Sequence, residues 1–255
     1  MSGVDYDFLE PRIRTLTQNS EEIAAVGKEV YDDDDQDPDL EYKELSIIKL
    51  ILFTVVIDLY TSIIPENFND MFYIDCLAGS GITHMEGRDT ILLGSGILAP
   101  TLAETQFDQL YFVEKNDDRR RALERRLEYI QGLENVELNS EDYQVYGGDC
   151  NDQISEIVRD LNYRSGQYKH HLAFLDNEGL DVHWSTISEI LETGYCDLLI
   201  NYPYYSLGQT NRSNGEKAFT EFFGGEYWRE YQEKGMIRSP ELRDEYLNRI
   251  DQKSM

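Results

Sequence analysis

Four acidic residues, each at or just after the end of a short apolar segment, are the first candidates for chemistry. They are Asp75, Glu114, Asp149 and Asp176. The first precedes a loop of small residues, 77–81 (LAGSG), whose glycines let the backbone turn tightly and approach a ligand. A carboxylate accepts hydrogen bonds from two hydroxyl groups at once, which suits Glu114 to a ribose diol. The pattern predicts a ligand site; a structural turn and an ordinary surface glutamate are the alternatives.

These acidic residues need a scaffold that brings them together. Short segments typical of strands occur at 72–75, 109–113, 143–146, 171–175 and 196–200. Helix-forming segments lie between them, at 92–104, 117–131, 152–161 and 184–192. This alternation predicts an α/β fold with a Rossmann-like, doubly wound parallel sheet in the strand order 3-2-1-4-5. Because ligands bind beyond the carboxyl ends of the strands in such sheets, the acidic residues should meet at one edge.

Further segments flank this alternation. The apolar stretch 45–64 contains Lys49 and Asp58, whose charges oppose membrane insertion, so we predict an extra core helix over 42–64. Segments 226–234 and 240–251 are helix-like and predict a helical C-terminal extension. Residues 31–41 (YDDDDQDPDLE) form an acidic run that stays solvated. We therefore predict an acidic N-terminal arm and linker over 1–41 and a single domain over 42–255.

Composition limits the partners and the location. The 255 residues include 50 acidic and 23 basic ones, and the formal net charge of −27 opposes binding to a phosphate backbone. Such acidity is typical of salt-in halophiles, including haloarchaea, in which molar salt screens the repulsion; an acidic mesophilic protein is the alternative. The one basic cluster, 119–126 (RRRALERR), is predicted to be a solvated helix face. We expect a cytoplasmic protein without membrane association, because the N-terminus does not have the pattern of a signal peptide.

The cysteines do not form a metal-binding pattern. Cys76, Cys150 and Cys196 lie far apart, with no CxxC motif and no histidine at ligand spacing. No metal site is therefore predicted. Each cysteine falls at or near the end of a predicted strand, where a small buried apolar side chain is the usual role.

Five motifs occur in a definite order between about residue 49 and residue 228. They are the first loop (75–81), Gly94-Ser95, Asp176 with Gly179, the segment 197–203 that ends in Asn-Tyr-Pro, and Phe-Phe-Gly at 222–224 followed by Trp228. This order resembles the class I S-adenosylmethionine-dependent methyltransferases and, more narrowly, the three-Cys-motif partner proteins. The resemblance implies a methyltransferase-like function with a Cys-rich protein partner. It also implies that S-adenosylmethionine is held by the following residues: Asp75, Ala78, Gly79, Gly81, Glu114, Asp149 and Asp176.

The same resemblance bears on catalysis. Asn201 and Tyr204 lie in a segment similar to the Asn-Pro-Pro-aromatic loop of amino-methyltransferases, which accepts a hydrogen bond from an exocyclic amine and stacks a flipped base. The resemblance implies that Asp176, Asn201 and Tyr204 are the catalytic residues, with Asp149 near the adenine. A nucleic-acid acceptor would bind weakly without a basic partner. Ordinary loop packing is the alternative role for Asn201 and Tyr204.

Departures from the family pattern keep other functions open. Asn177 and Glu178 stand where the family has a proline and an aromatic residue, and no strand pair is predicted after Trp228. A catalytically silent subunit that binds a nucleotide or a partner protein is therefore a second hypothesis. A dinucleotide-dependent enzyme is a third, although His84 stands where the Gly-x-Gly-x-x-Gly motif needs its last glycine.

Overall fold

The computed structural model describes residues 9–28, 40–42, 44–85, 90–164, 168–208 and 212–254. The chain folds into a Rossmann-like α/β structure with helices on both faces of a parallel sheet. In chain order, its elements are α1 (Leu9–Thr17), α2 (Ser20–Lys28), β1 (Leu40–Tyr42), α3 (Glu44–Ile63), β2 (Asp70–Asp75), β3 (Ile82–Met85), β4 (Ile91–Leu93), α4 (Ser95–Leu102), β5 (Gln109–Glu114), α5 (Asp117–Ile130), β6 (Tyr143–Gly147), α6 (Cys150–Arg164), β7 (Lys169–Leu175), α7 (Trp184–Leu191), β8 (Cys196–Ile200), α8 (Arg212–Phe223), α9 (Trp228–Glu233) and α10 (Pro240–Ser254).

The main sheet has five parallel strands in the order β6-β5-β2-β7-β8. These labels differ from the expected 3-2-1-4-5 because β1, β3 and β4, which the sequence did not predict, form a separate small sheet. Counted within the main sheet alone, the strands read 3-2-1-4-5. Ile74 on the central strand lies opposite Tyr111 on β5 and Ala173 on β7. The carboxyl ends of β2, β5 and β7 therefore lie side by side, as a site at this edge requires.

Both faces of the three inner strands, β2, β5 and β7, are buried, because strands between two helical layers have no solvent-facing side. On one face, Tyr73 and Phe174 pack with Phe53 of α3. On the other face, Ile74 packs in a second cluster with Ile157 of α6. This burial on both sides explains why the strands appear in the sequence as apolar runs rather than as alternating patterns.

Helix α3 crosses the face of the sheet as an additional core element, close to the predicted bounds of 42–64. Phe53 and Ile57 on its inner side are fully buried. In the described part of the chain, residues 47–66 are the one helical stretch long and apolar enough to cross a membrane, and 39% of its most apolar window is buried. Core helices pass the same test of length and composition, so this is weak evidence for a membrane span.

The two helices of the predicted N-terminal arm, α1 and α2, pack onto the domain through Leu16, Ile23 and Ala24. Residues 29–39, which include most of the predicted acidic linker, lie outside the described part, and 40–42 form β1.

The prediction that 119–126 is a solvated helix face is wrong for Arg126. Its guanidinium is fully buried and donates hydrogen bonds to the backbone carbonyls of Ile23 (3.2 Å), Ala24 (3.2 Å) and Ser80 (2.8 Å). Gly27 leaves room for it, because a Cβ there would lie 2.3 Å from Nε. Arg126 thus joins α2 to the first loop.

The C-terminal part of the described chain is helical after β8, in agreement with the predicted extension. Helices α9 and α10 cover much of the predicted 226–234 and 240–251, while α8 was not predicted. Phe222 and Tyr246 from this extension stack with their ring centroids 5.0 Å apart, beneath the second face of the sheet. Among the described residues, no strand follows Ile200.

Candidate functional site

Asp75 ends the central strand, and its carboxylate holds the first loop in place. Oδ1 accepts a hydrogen bond from the backbone N–H of Leu77 at 3.2 Å, and Oδ2 accepts one from the Tyr73 hydroxyl at 3.1 Å. The Ser95 side chain donates a third. Burial raises the pKa of Asp75 to about 7, although these three hydrogen bonds favour the charged form. Asp75 does not line the cavity described below, so its direct role is to shape the loop.

Two glycines give the first loop its path. Gly79 and Gly81 have φ angles of +63° and +86°, in the left-handed region that other residues avoid. A Cβ on Gly81 would lie 2.8 Å from Cγ1 of Ile97, whereas a Cβ on Gly79 would meet no atom within 4 Å. The backbone N–H of Gly94 donates to the Gly81 carbonyl at 2.8 Å and fixes the second half of the loop. Gly79 and Gly81 both line the cavity, and only Gly79 has open space beside it.

Glu114 lies at the carboxyl end of β5 and lines the same cavity, with 8% of its surface exposed. Its Oε2 accepts the backbone N–H of Gly79 at 3.0 Å, and its Oε1 accepts that of Asn116 at 2.7 Å. Each carboxylate oxygen has two lone pairs, so each can accept one more hydrogen bond. The first loop therefore fixes the orientation of Glu114 and leaves it able to accept a pair of hydroxyl groups.

Asp176, just beyond the carboxyl end of β7, forms an ion pair that sequence reasoning did not find. Lys49 of α3 lies 2.5 Å from Oδ2, and the two side chains are 19% and 12% exposed. Asn201, which follows β8, donates from Nδ2 to Asp176 Oδ1 at 3.0 Å and to the Asn177 carbonyl at 3.1 Å. Asp176 and Asn201, two of the three candidate catalytic residues, are therefore in contact with each other, and Lys49 contacts the same carboxylate.

Asp149 follows β6 and lines a neighbouring cavity. Its carboxylate accepts hydrogen bonds from Lys115 Nζ at 3.0 Å and from the backbone and side chain of Asn151 at 3.0 and 2.7 Å. Burial opposes ionisation, but these hydrogen bonds outweigh it and lower the pKa of Asp149. The neighbouring cavity shares Leu77, Lys115 and Asp181 with the first, so the two cavities adjoin at this edge of the sheet.

The first cavity has a volume of about 230 Å³ and is lined by residues of α3, the first loop, the end of β5 and the segment after β7. Of the predicted cofactor-binding residues, it is lined by Ala78, Gly79, Gly81, Glu114 and Asp176. Its charged side chains nearly balance, in contrast to the chain as a whole. They are three basic and four acidic ones: Lys49, Lys115, Arg119, Glu114, Asp176, Glu178 and Asp181. Such a cavity suits a ligand of low net charge that carries both polar and apolar groups.

Sequence reasoning missed the basic side chains, although one of them left a signal. Lys49 is one of two charged residues within the apolar stretch 45–64, and in the fold its side chain contacts Asp176. Tyr204, predicted to be catalytic, does not line either cavity at this edge. Its ring is 41% exposed and meets Tyr205 edge to face at 5.7 Å. Asn201 also lies outside the lining and reaches the cavity through its contact with Asp176.

The cysteines are free thiols. A hydrogen bond with Cys150, together with burial, raises the pKa of the Cys76 thiol, which makes it a weak nucleophile. Across the described residues, no group of three or more His, Cys, Asp or Glu side chains is arranged to hold a metal ion.

Comparison with known proteins gives no family. No protein-family model and no curated protein matches the chain. A crystal structure of a Legionella pneumophila protein, titled with the family model DUF519, aligns with 15% identity and a TM-score of 0.29. The alignment covers 68% of this chain and 66% of that one, so it spans just under two thirds of that protein. A likeness this low carries no argument about either fold or function.

Proposed function

We propose that the cavity at the carboxyl edge of the sheet binds S-adenosylmethionine and that the chain is methyltransferase-like, acting on nucleic acid together with a Cys-rich partner protein. The observation that carries this proposal is the geometry of Glu114. Its carboxylate lines the cavity, is oriented by the glycine loop of the neighbouring strand, and keeps an acceptor site on each oxygen. Two adjacent acceptors match the two adjacent hydroxyl groups of a ribose.

The other lining residues fit the rest of this cofactor. Gly79 leaves open space beside the first loop, where a ligand can approach the backbone closely. The adjoining cavity, with Asp149 and Leu180, offers an acceptor and an apolar wall for a base. The cofactor supplies an electrophilic methyl group, and the nearly balanced charges of the lining suit its zwitterionic amino-acid end.

On the side where an acceptor would enter, Asp176 and Asn201 are already connected. Both described side-chain hydrogen bonds of Asn201 use Nδ2, so its Oδ1 is available to accept a hydrogen bond from an exocyclic amine. Lys49 keeps Asp176 in one orientation through their ion pair. The role of Asp176 is therefore to position Asn201, with the amide oxygen of Asn201 orienting the amine.

Calorimetry tests the cofactor proposal. We expect S-adenosylmethionine and S-adenosylhomocysteine to bind in 2 M KCl and NAD not to bind. Glu114→Gln keeps the size of the side chain but removes one acceptor, so affinity should fall by about 2 kcal/mol, as for hydrogen bonds to charged groups. Glu137→Gln is the matched control, because Glu137 is exposed and does not line the cavity. If neither adenosyl compound binds, this cofactor is removed from the proposal; if both bind with unchanged affinity in Glu114→Gln, Glu114 is removed from the site.

A second candidate function is a silent subunit that binds a nucleotide or a partner protein without methyl transfer. One observation favours it: the charge of Asp176, beside the proposed acceptor site, is already neutralised by the ion pair with Lys49. Transfer of a radiolabelled methyl group to RNA, DNA and protein separates the two functions. Transfer that is lost in Asn201→Ala supports the enzyme. Tight cofactor binding with no transfer to any acceptor supports the silent subunit.

A further inference from the structure

Helix α3 carries an apolar stripe on the side that faces away from the core. Ile48, Leu52, Leu59 and Ile63 are each more than half exposed, which is unusual for large aliphatic side chains so close together. Their spacing of four, seven and four residues places them on one face of the helix, over a length of about 22 Å. The opposite face holds Phe53 and Ile57 in the core. This helix is therefore apolar on both sides, and the described chain covers only one of them.

The stripe continues into a groove beside the edge of the main sheet. β8 is an edge strand that pairs only with β7 in the described part of the chain. A groove of about 410 Å³ runs along α3 and this edge, which we call the α3–β8 groove; its walls include Val56, Leu59, Ile63, Leu198 and Leu199. Leu198 and Leu199 are only partly buried, although they lie in a strand of the main sheet. The groove is thus a site where one more element would complete the packing.

The groove also carries uncompensated negative charge. Asp197 lines it among the apolar residues, and Glu66 is exposed just beyond the end of α3. Within the described residues, neither carboxylate has an ion-pair partner at contact distance. An occupant that covered Asp197 would have to bring a basic side chain, because burying an unpaired carboxylate costs several kcal/mol.

We propose that the α3–β8 groove docks an amphipathic, cationic helix from a partner protein. A helix suits the groove because apolar side chains at intervals of three and four residues match the stripe along α3, as in other helix-in-groove complexes. Basic residues beside the apolar stripe of the partner would meet Asp197 and Glu66. This surface is distinct from the cavity that holds Glu114, and its role does not depend on which ligand that cavity binds.

Charge disfavours the other occupants. A second copy of the chain would carry the same net charge of −27, so Asp197 and Glu66 would face another acidic surface and be repelled by it. The acidic segment at 31–38 of this chain has the same sign as the groove. A membrane with anionic lipids would repel the protein for the same reason. A cationic partner helix satisfies both the apolar stripe and the acidic residues.

The test uses the full chain and a designed peptide of leucine, alanine and lysine, about 18 residues long and amphipathic as a helix, or five turns. The controls are a scrambled peptide of the same composition and a peptide with glutamate in place of lysine. Fluorescence anisotropy in 1 M KCl limits non-specific attraction to the acidic surface. We expect saturable binding of the first peptide alone. Leu59→Ser and Asp197→Asn should each weaken it at least tenfold, and Leu247→Ser, at an exposed leucine of α10, should leave it unchanged.

Several outcomes would overturn the proposal. One is equal binding of the scrambled peptide, and another is affinity that is unaffected by Leu59→Ser and Asp197→Asn. Sedimentation that shows a dimer lost in Leu59→Ser would assign the groove to a second copy of the chain. Flotation with phosphatidylcholine–phosphatidylserine vesicles that is lost in the same variant would assign it to a membrane. Unfolding curves of both variants check that the fold is intact, as expected for exposed positions.

Discussion

Breaking the ion pair between Lys49 and Asp176 should destabilise the protein far more than breaking an ordinary surface pair. The pair links α3 to the carboxyl end of β7, and both side chains are less than one fifth exposed. Removing one partner leaves the other charge without compensation, which costs about 3–5 kcal/mol in a fully buried pair and 0–1 kcal/mol at the surface. The partial exposure places the expected cost of Lys49→Met at about 2–3 kcal/mol. Methionine keeps the apolar stem of the lysine, so packing changes little.

A double-mutant cycle isolates the interaction. Urea unfolding in 2 M KCl gives the free energies of Lys49→Met, Asp176→Asn and the double variant. We expect a coupling energy of about 2 kcal/mol, since the double variant loses both charges and leaves neither unpaired. Lys253 and Glu192 form the matched control, a lysine–carboxylate pair at 2.6 Å that is more exposed, and their cycle should give less than about 0.5 kcal/mol.

The refuting result is equally specific. If the two cycles give the same small coupling energy, the Lys49–Asp176 pair has no more effect than a surface pair. Its proposed role in fixing Asp176 and Asn201 would then be wrong. A double variant that costs the full sum of the single variants would have the same meaning.

Three further outcomes are expected. Burial raises the pKa of Asp75 above its ordinary 3.8 to about 7, so the unfolded chain loses this proton at a lower pH than the folded protein does. The free energy of unfolding that the neutral carboxyl contributes is therefore lost as pH rises from 3.8 to about 7. In urea unfolding at pH 4.5–6.5, Asp75→Asn should remove up to about 1.4 kcal/mol per pH unit from this pH dependence. Gly81→Ala should lower the free energy of unfolding by about 3 kcal/mol, because of its positive φ and the contact with Ile97. Gly79→Ala should lower it by about 1 kcal/mol and weaken cofactor binding. Equal losses in the two variants would contradict the loop geometry. The melting temperature should rise by about 5 °C or more between 0.1 and 2 M KCl, and a flat profile would contradict the halophile prediction.

The sequence by itself determined the alternation of strands and helices. Segments buried on both sides of a sheet need continuous apolar residues, so 109–113 and 171–175 were visible as strands close to their observed bounds. The short strands β3 and β4 were not visible, because three or four residues carry too little pattern, and their antiparallel pairing depends on the chain returning to the same place. The continuous apolar run at 109–113 also let the sequence place Glu114 at the end of a strand.

Only the tertiary structure decided which side chains share the site. Lys49 meets Asp176 across 127 positions of sequence because α3 crosses the face of the sheet, and no local pattern encodes that approach. Arg126, predicted to be solvated, is buried because α2 folds back and presents carbonyl groups to it. Tyr204 lies outside the cavity lining, with its ring partly exposed to solvent. Secondary structure follows from residues that are close in sequence, whereas a site depends on long-range packing. That packing buries charged side chains that a local sequence pattern would predict to be solvated.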